Sequence, residues 1–151
     1  MAVGEYCNRE VVIVSKTDSI QETIGLMRSE HVGTVVVVEK TDGNIIPVGM
    51  LTDRDIVIEI LAEDIRLESV NVGDVMSLEL VVVNEAVDLM DAVKIMHIKG
   101  VKRIPIVNND GGLVGILAVD DVLELLAEQI MDLAKLASVE QNQEKMKNSA
   151  P

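Results

Sequence analysis

Few side chains in this sequence stand where they could bind or react with a ligand. Thr52 and Asp55 stand three apart in Gly49-Met50-Leu51-Thr52-Asp53-Arg54-Asp55-Ile56, and Asp121 holds the place of Asp55 in a second copy, Gly115-Ile116-Leu117-Ala118-Val119-Asp120-Asp121-Val122. Both copies read as a short apolar strand running into an amphipathic helix, with the acid in the first helical turn. Backbone N–H groups at a helix start are unpaired and carry partial positive charge, so they can hold an anion such as phosphate. A carboxylate there can instead accept hydrogen bonds from sugar hydroxyls. The same Thr-x-x-Asp also reads as a helix cap, a capping box with Asp in place of Glu or Gln. Ala118 in the second copy has no side chain to cap with, yet Asp121 is present.

Lys102-Arg103 is the other group. The pair enters a strand that otherwise reads as core, where the first half has Gly33 and Thr34. Adjacent basic residues at a strand start are often only solvated. Their other reading is the local positive charge that an anionic ligand needs in an acidic chain, and Arg holds phosphate bidentately. Arg54 adds to the same field. His31 and His97 stand at non-equivalent helix positions without Cys or paired carboxylates at ligand spacing, so they read as surface histidines and no metal site is expected. Cys7 takes the place of Met76 and reads as apolar filler. No phosphate-loop, dinucleotide or nucleophile-elbow motif is present, so no catalytic residue and no enzyme is expected.

The strands and helices that carry these groups occur twice. Val3-Gly4-Glu5-Tyr6-Cys7-Asn8 matches Val72-Gly73-Asp74-Val75-Met76-Ser77, and the same register carries Val11–Val14 onto Leu80–Val83 and Val35–Val38 onto Ile104–Val107. Such self-similarity predicts a tandem of two like units, 1–69 and 70–137. In the first, Val11–Val14 is a short strand, Ser19-Ile20-Gln21-Glu22 opens a helix with Ile20, Ile24 and Met27 inward, and Val35–Val38 and Val48–Leu51 form a hairpin closed by Asp42-Gly43. A second helix from Asp53 to about Glu63 places Ile56, Ile60 and Leu61 inward. The second unit repeats this with strands near 80–83, 103–107 and 113–117 and helices near 88–98 and from 119. Pro105 lacks an N–H and is expected at a sheet edge or near the strand start. The polar end, 138–151, is expected to be frayed or disordered.

Composition limits the partners. The formal net charge is −13, which argues against nucleic acid and against anionic membranes. One Tyr, no Phe and no Trp leave a bound base to be held by aliphatic side chains. Cys7 is the single cysteine and no apolar run is long enough to span a membrane, which fits a reducing cytoplasm.

The β-α-β-β-α unit resembles the cystathionine-β-synthase (CBS) domain. Val-Gly-Asp-Val-Met-Ser at 72–77, Gly-Val-Lys-Arg-Ile-Pro-Ile-Val at 100–107 and Gly-x-x-Thr-x-x-Asp at 49–55 carry the likeness. It implies an α/β (α+β) fold of two tandem CBS repeats, a pseudo-twofold, two-lobed Bateman module with two clefts for adenosine-containing ligands. In the first cleft the resemblance gives Asp55 to the ribose and Thr52 to phosphate, with Val11, Val32 and Thr34 lining the base. In the second it gives Asp121 to the ribose and Leu80 and Val101 to the base, although Ala118 supplies no hydroxyl. Lys102 and Arg103 match phosphate-binding positions of nucleotide-sensing members.

The resulting expectation is a stand-alone regulatory CBS pair. It would bind AMP, ADP or ATP, use no catalytic cofactor, and signal to an unidentified protein in trans. The alternatives are a structural or interaction module with empty clefts, or an S-adenosylmethionine sensor. Paired modules in this family and the apolar helix faces imply a homodimer, with Ile56, Ile60, Val122, Leu125 and Leu126 and the later Ile130, Leu133 and Leu136 as surplus apolar surface.

Overall fold

A computed structural model of the chain describes residues 1–148. It contains two compact units, taken here in turn: Met1–Leu117, and the remainder from Ala118.

In the first unit, β1 (Ile13–Val14) leads through α1 (Ile20–Glu30) to β2 (Thr34–Thr41) and β3 (Asn44–Thr52), which together form one sheet in the order β1-β2-β3. β1 runs parallel to β2, and β2 antiparallel to β3. A parallel pair needs a crossover, and α1 supplies it. Ser19 caps α1, its Oγ accepting the Glu22 N–H at 3.0 Å. Asp42 and Gly43 close the hairpin with φ of 49° and 78°, the left-handed pair that matches strand twist. Pro47 faces Val38 beside a register shift in the β2–β3 ladder, a place where a missing N–H is tolerated.

After β3 the chain forms α2 (Asp53–Asp55), which continues as a π-helix over Ile56–Leu61. Ala62 N–H reaches Val57 O at 2.8 Å and Ile65 N–H reaches Ile60 O at 3.0 Å, both five residues back. Ile56 and Ile60 are buried as expected, but Leu61 is 57 % exposed. Neighbouring helical side chains diverge too far for both Ile60 and Leu61 to face one core.

The second half follows the same order. A single helical turn, α3 (Val72–Val75), leads to β4 (Val83–Asn84), α4 (Leu89–Lys99), β5 (Arg103–Val107) and β6 (Leu113–Ala118). The sheet order is β4-β5-β6, with β4 parallel to β5. Pro105 therefore lies in the central strand and is buried, not at an edge. The first half shows why this is allowed. The equivalent Val36 N–H bonds Val12 O, a residue before β1 begins, and β4 likewise pairs only from Ile106 onward. Pro105 removes a donor beyond the end of a short ladder.

The repeat in sequence is not the unit of packing. Val72 and Met76, which open the second repeat, belong to the core built on Val14, Ile20, Met27, Val35, Val37 and Leu51 of the first. Val72 N–H bonds Asp18 O, Gly73 N–H bonds Lys16 O, and Ser77 bridges to Met50. Reciprocally, Val3 N–H bonds Val87 O, Gly4 N–H bonds Glu85 O, and Asn8 bridges to Ile116. Each half gives its first six residues to the other's sheet.

The second unit is one helix, α5 (Val119–Asn148), of 30 residues. Helix continues through 138–148, where the polar composition predicts fraying. This stretch of Ser, Val, Glu, Gln, Asn, Lys and Met contains no proline or glycine to stop it, and Glu, Gln, Lys and Met, which make up most of it, are strong helix formers. Residues 149–151 lie outside the described residues. Val122 is buried, whereas Leu123, Ile130, Leu133 and Leu136 are each 60–67 % exposed. Among the described residues no helix is long and apolar enough to cross a membrane.

Candidate functional site

Thr52 closes β3 and caps α2, so its position follows from the β2–β3 register. Its partner across that ladder is Thr34. The cap is a complete capping box: Thr52 Oγ1 accepts the Asp55 N–H at 3.1 Å, and Asp55 Oδ2 accepts the Thr52 N–H at 2.9 Å. The capping reading of Thr-x-x-Asp is thus realised. It uses one oxygen of the Asp55 carboxylate and leaves the Thr52 hydroxyl proton free to donate. Asp55 Oδ1 makes no hydrogen bond among the described residues.

Thr34 and Thr52 line a pocket of about 230 Å³. Leu80 and Val101 give it apolar surface, and Lys102 and Arg103 give it positive charge. Met50, Ser77 and Glu79 complete the lining. The structure therefore gathers six of the sequence-derived residues into one place, and four of them, Leu80, Val101, Lys102 and Arg103, come from outside the cleft that the family pattern would assign to Thr52. The exchange of segments explains this, because the Met50–Ser77 bridge draws 77–80 up against β3.

Electrostatics favour an anion here. Neither Lys102 nor Arg103 forms an ion pair among the described residues, although acidic side chains outnumber basic ones by 26 to 13. Two cations without an ion pair, against the single carboxylate Glu79 in the lining, are available to an incoming phosphate. The two threonine hydroxyls and Ser77 add neutral donors.

The other candidates lie elsewhere. Val11 lines a separate hollow of about 410 Å³ with Val12, Ile13, Leu26 and the carboxylates Glu10 and Glu30. Val32 is half-buried and packs against the first core, its N–H on Met27 O. Arg54 is exposed at the start of α2, and its N–H is taken by Asp53 Oδ1 at 2.8 Å. Asp55 is half-buried and joins the pocket only through Thr52. Asp121 is exposed in the first turn of α5, in the second unit. Sequence reasoning missed Met50, Ser77 and Glu79. Ser77 closes a quoted motif, but only the exchange shows that it meets β3.

The CBS-domain profile matches residues 3–62 and 72–128. An uncharacterised protein of Methanopyrus kandleri is 35 % identical over 125 residues, 83 % of this chain and 62 % of its own length. This chain thus spans less than two thirds of that relative. The CBS domain-containing protein YhcV of Bacillus subtilis is 38 % identical over 121 residues, covering 80 % of this chain and 82 % of YhcV. The crystal structure of CBSX2 in complex with AMP matches with a TM-score of 0.70 at 26 % identity, over 86 % of this chain and 98 % of that one.

Proposed function

This chain belongs to the CBS-domain family, and on that premise we propose that it is a regulatory module that binds an adenine nucleotide in the pocket of Thr34, Thr52, Lys102 and Arg103. The observation that carries the reading is the unpaired Lys102–Arg103 charge facing two threonine hydroxyls in a chain of net charge −13. Leu80 and Val101 give the base an aliphatic surface, as a chain without Phe or Trp requires. Asp55 accepts ribose hydroxyls through Oδ1, the oxygen its capping box leaves over. The complex of CBSX2 with AMP supports the adenosine class. Output passes to a partner protein, and the module itself catalyses nothing.

A thermal-shift panel of AMP, ADP, ATP, S-adenosylmethionine and NAD tests this. A ligand at about 100 times its Kd adds about 2.7 kcal/mol of stability. Arg103→Ala should then weaken AMP by about tenfold while leaving adenosine nearly unchanged, since only the phosphate gains from the guanidinium. A panel in which nothing raises the melting temperature would end the sensor reading in favour of an interaction module. The exposed apolar face of α5 favours association as a second role, and we place a homodimer there.

A further inference from the structure

Glu79 shares the pocket with Lys102 and Arg103, yet it is exposed and pairs with neither. The site is therefore mixed in charge. Two cations attract phosphate, and one unneutralised carboxylate repels it. We propose that Glu79 limits the number of phosphates the pocket accepts, selecting a nucleoside monophosphate over a triphosphate. This inference rests on the adenine-nucleotide reading of the same pocket.

Three observations converge on it. The pocket measures about 230 Å³, below the roughly 300–1,000 Å³ usual for small-molecule sites. Glu79 is the one carboxylate in the lining, so each added phosphate brings more negative charge into its field. The chain's net charge of −13 also opposes the more highly charged ligand more strongly. Nothing comparable opposes adenosine. The neutral groups Thr34, Thr52 and Ser77 hydrogen-bond any of the three alike.

A different role is open to the same carboxylate. Glu79 could accept hydrogen bonds from ribose hydroxyls or from an amino group of the base, and its loss would then weaken every adenosine compound. The two roles give opposite results in one experiment. Calorimetry on the full chain compares adenosine, AMP and ATP on the unsubstituted protein and on Glu79→Gln. Glu79 makes no hydrogen bond or ion pair, so the variant should keep its melting temperature.

The expected result is a gain of about tenfold for ATP, about threefold for AMP, and no change for adenosine, with the differences shrinking in high salt. Equal changes for all three compounds, no change for any, or a loss for adenosine would overturn the proposal. If the unsubstituted chain binds none of the three, the adenine-nucleotide reading fails and takes this inference with it. If it binds them and Glu79→Gln changes nothing, this inference alone falls.

Discussion

Gly115 lies directly beneath the thiol of Cys7: a Cβ added there would stand 2.5 Å from Sγ and 2.8 Å from Asn8 O. Gly49 holds the same relation to Met76, at 2.8 Å from Sδ and 2.9 Å from Ser77 O. Neither glycine has left-handed backbone, so each is required by the exchanged segment crossing over it. Gly115→Ala should cost about 1–3 kcal/mol through overpacking, read as a lower urea midpoint. Adding Cys7→Ala should restore only part, because the Asn8 carbonyl belongs to the backbone and cannot swing away. An unchanged midpoint for Gly115→Ala would refute the close crossing.

The ends of α1 and α4 differ in a way that stability can read. His31 ends α1 at φ 55°, and Gly100 ends α4 at φ 66°. Left-handed backbone is free to glycine but costs other residues about 1 kcal/mol. His31→Gly should therefore stabilise by about 0.5–1 kcal/mol, and Gly100→Ala should destabilise by a similar amount. Thermal melts of the two variants should move in opposite directions.

Thr52 and Asp55 can be separated by two readouts. Thr52→Ala removes the cap and should lower stability by about 1 kcal/mol. Asp55→Ala should do the same and in addition lower adenosine and AMP affinity by tens- to hundreds-fold, about 2–3 kcal/mol, through the lost ribose bonds. A variant that melts lower and binds normally would leave Asp55 as a cap alone.

Burial pushes the Cys7 thiol above its ordinary 9.0, against the lowering pull of nearby Arg9. The folded state thus prefers the protonated thiol. Its contribution is full below pH 9.0 and is lost as pH rises through the raised folded value. Stability should fall with alkaline pH more steeply for the unsubstituted chain than for Cys7→Ala. Native Cys7 should also react with a disulfide reagent more slowly than the same thiol in urea.

The surface of α5 predicts self-association. Ile56, Ile60 and Val122, which periodicity marks as surplus apolar surface, are buried, so they are not available to a partner. Leu123, Ile130, Leu133 and Leu136 are exposed. Light scattering on the unsubstituted chain should give a dimer mass, and a double change Ile130→Asp and Leu133→Asp should give the monomer. A monomer mass for the unsubstituted chain at micromolar concentration would remove the homodimer.

Much of this was legible because the sequence states it twice. The valine run at 35–38 marks β2, its match at Ile104–Val107 marks β5, Asp42-Gly43 marks the hairpin, and Ser19 marks the start of α1. Leu61 was misplaced because helical periodicity cannot reject one of two adjacent apolar residues. Of the two places expected for Pro105, the open ladder near the strand start is the one realised; an edge and the open end of a short ladder look alike from composition. Residues 138–148 continue α5 because polarity without glycine or proline is compatible with a solvated helix. The pocket was half legible. Lys102, Arg103, Thr34 and Thr52 announce themselves by type, but Glu79 and Ser77 acquire their place only from a contact between distant segments.

The crossing of the two opening segments has a consequence for how such a chain can arise and fold. A single repeat on its own lacks the six residues that cover its sheet, since it offers them to a neighbour. Two separate copies would complete one another by reciprocal exchange, and joining them end to end would change little but the concentration at which they meet. Once joined, neither half can close ahead of the other, so the two sheets should form and melt as one cooperative event.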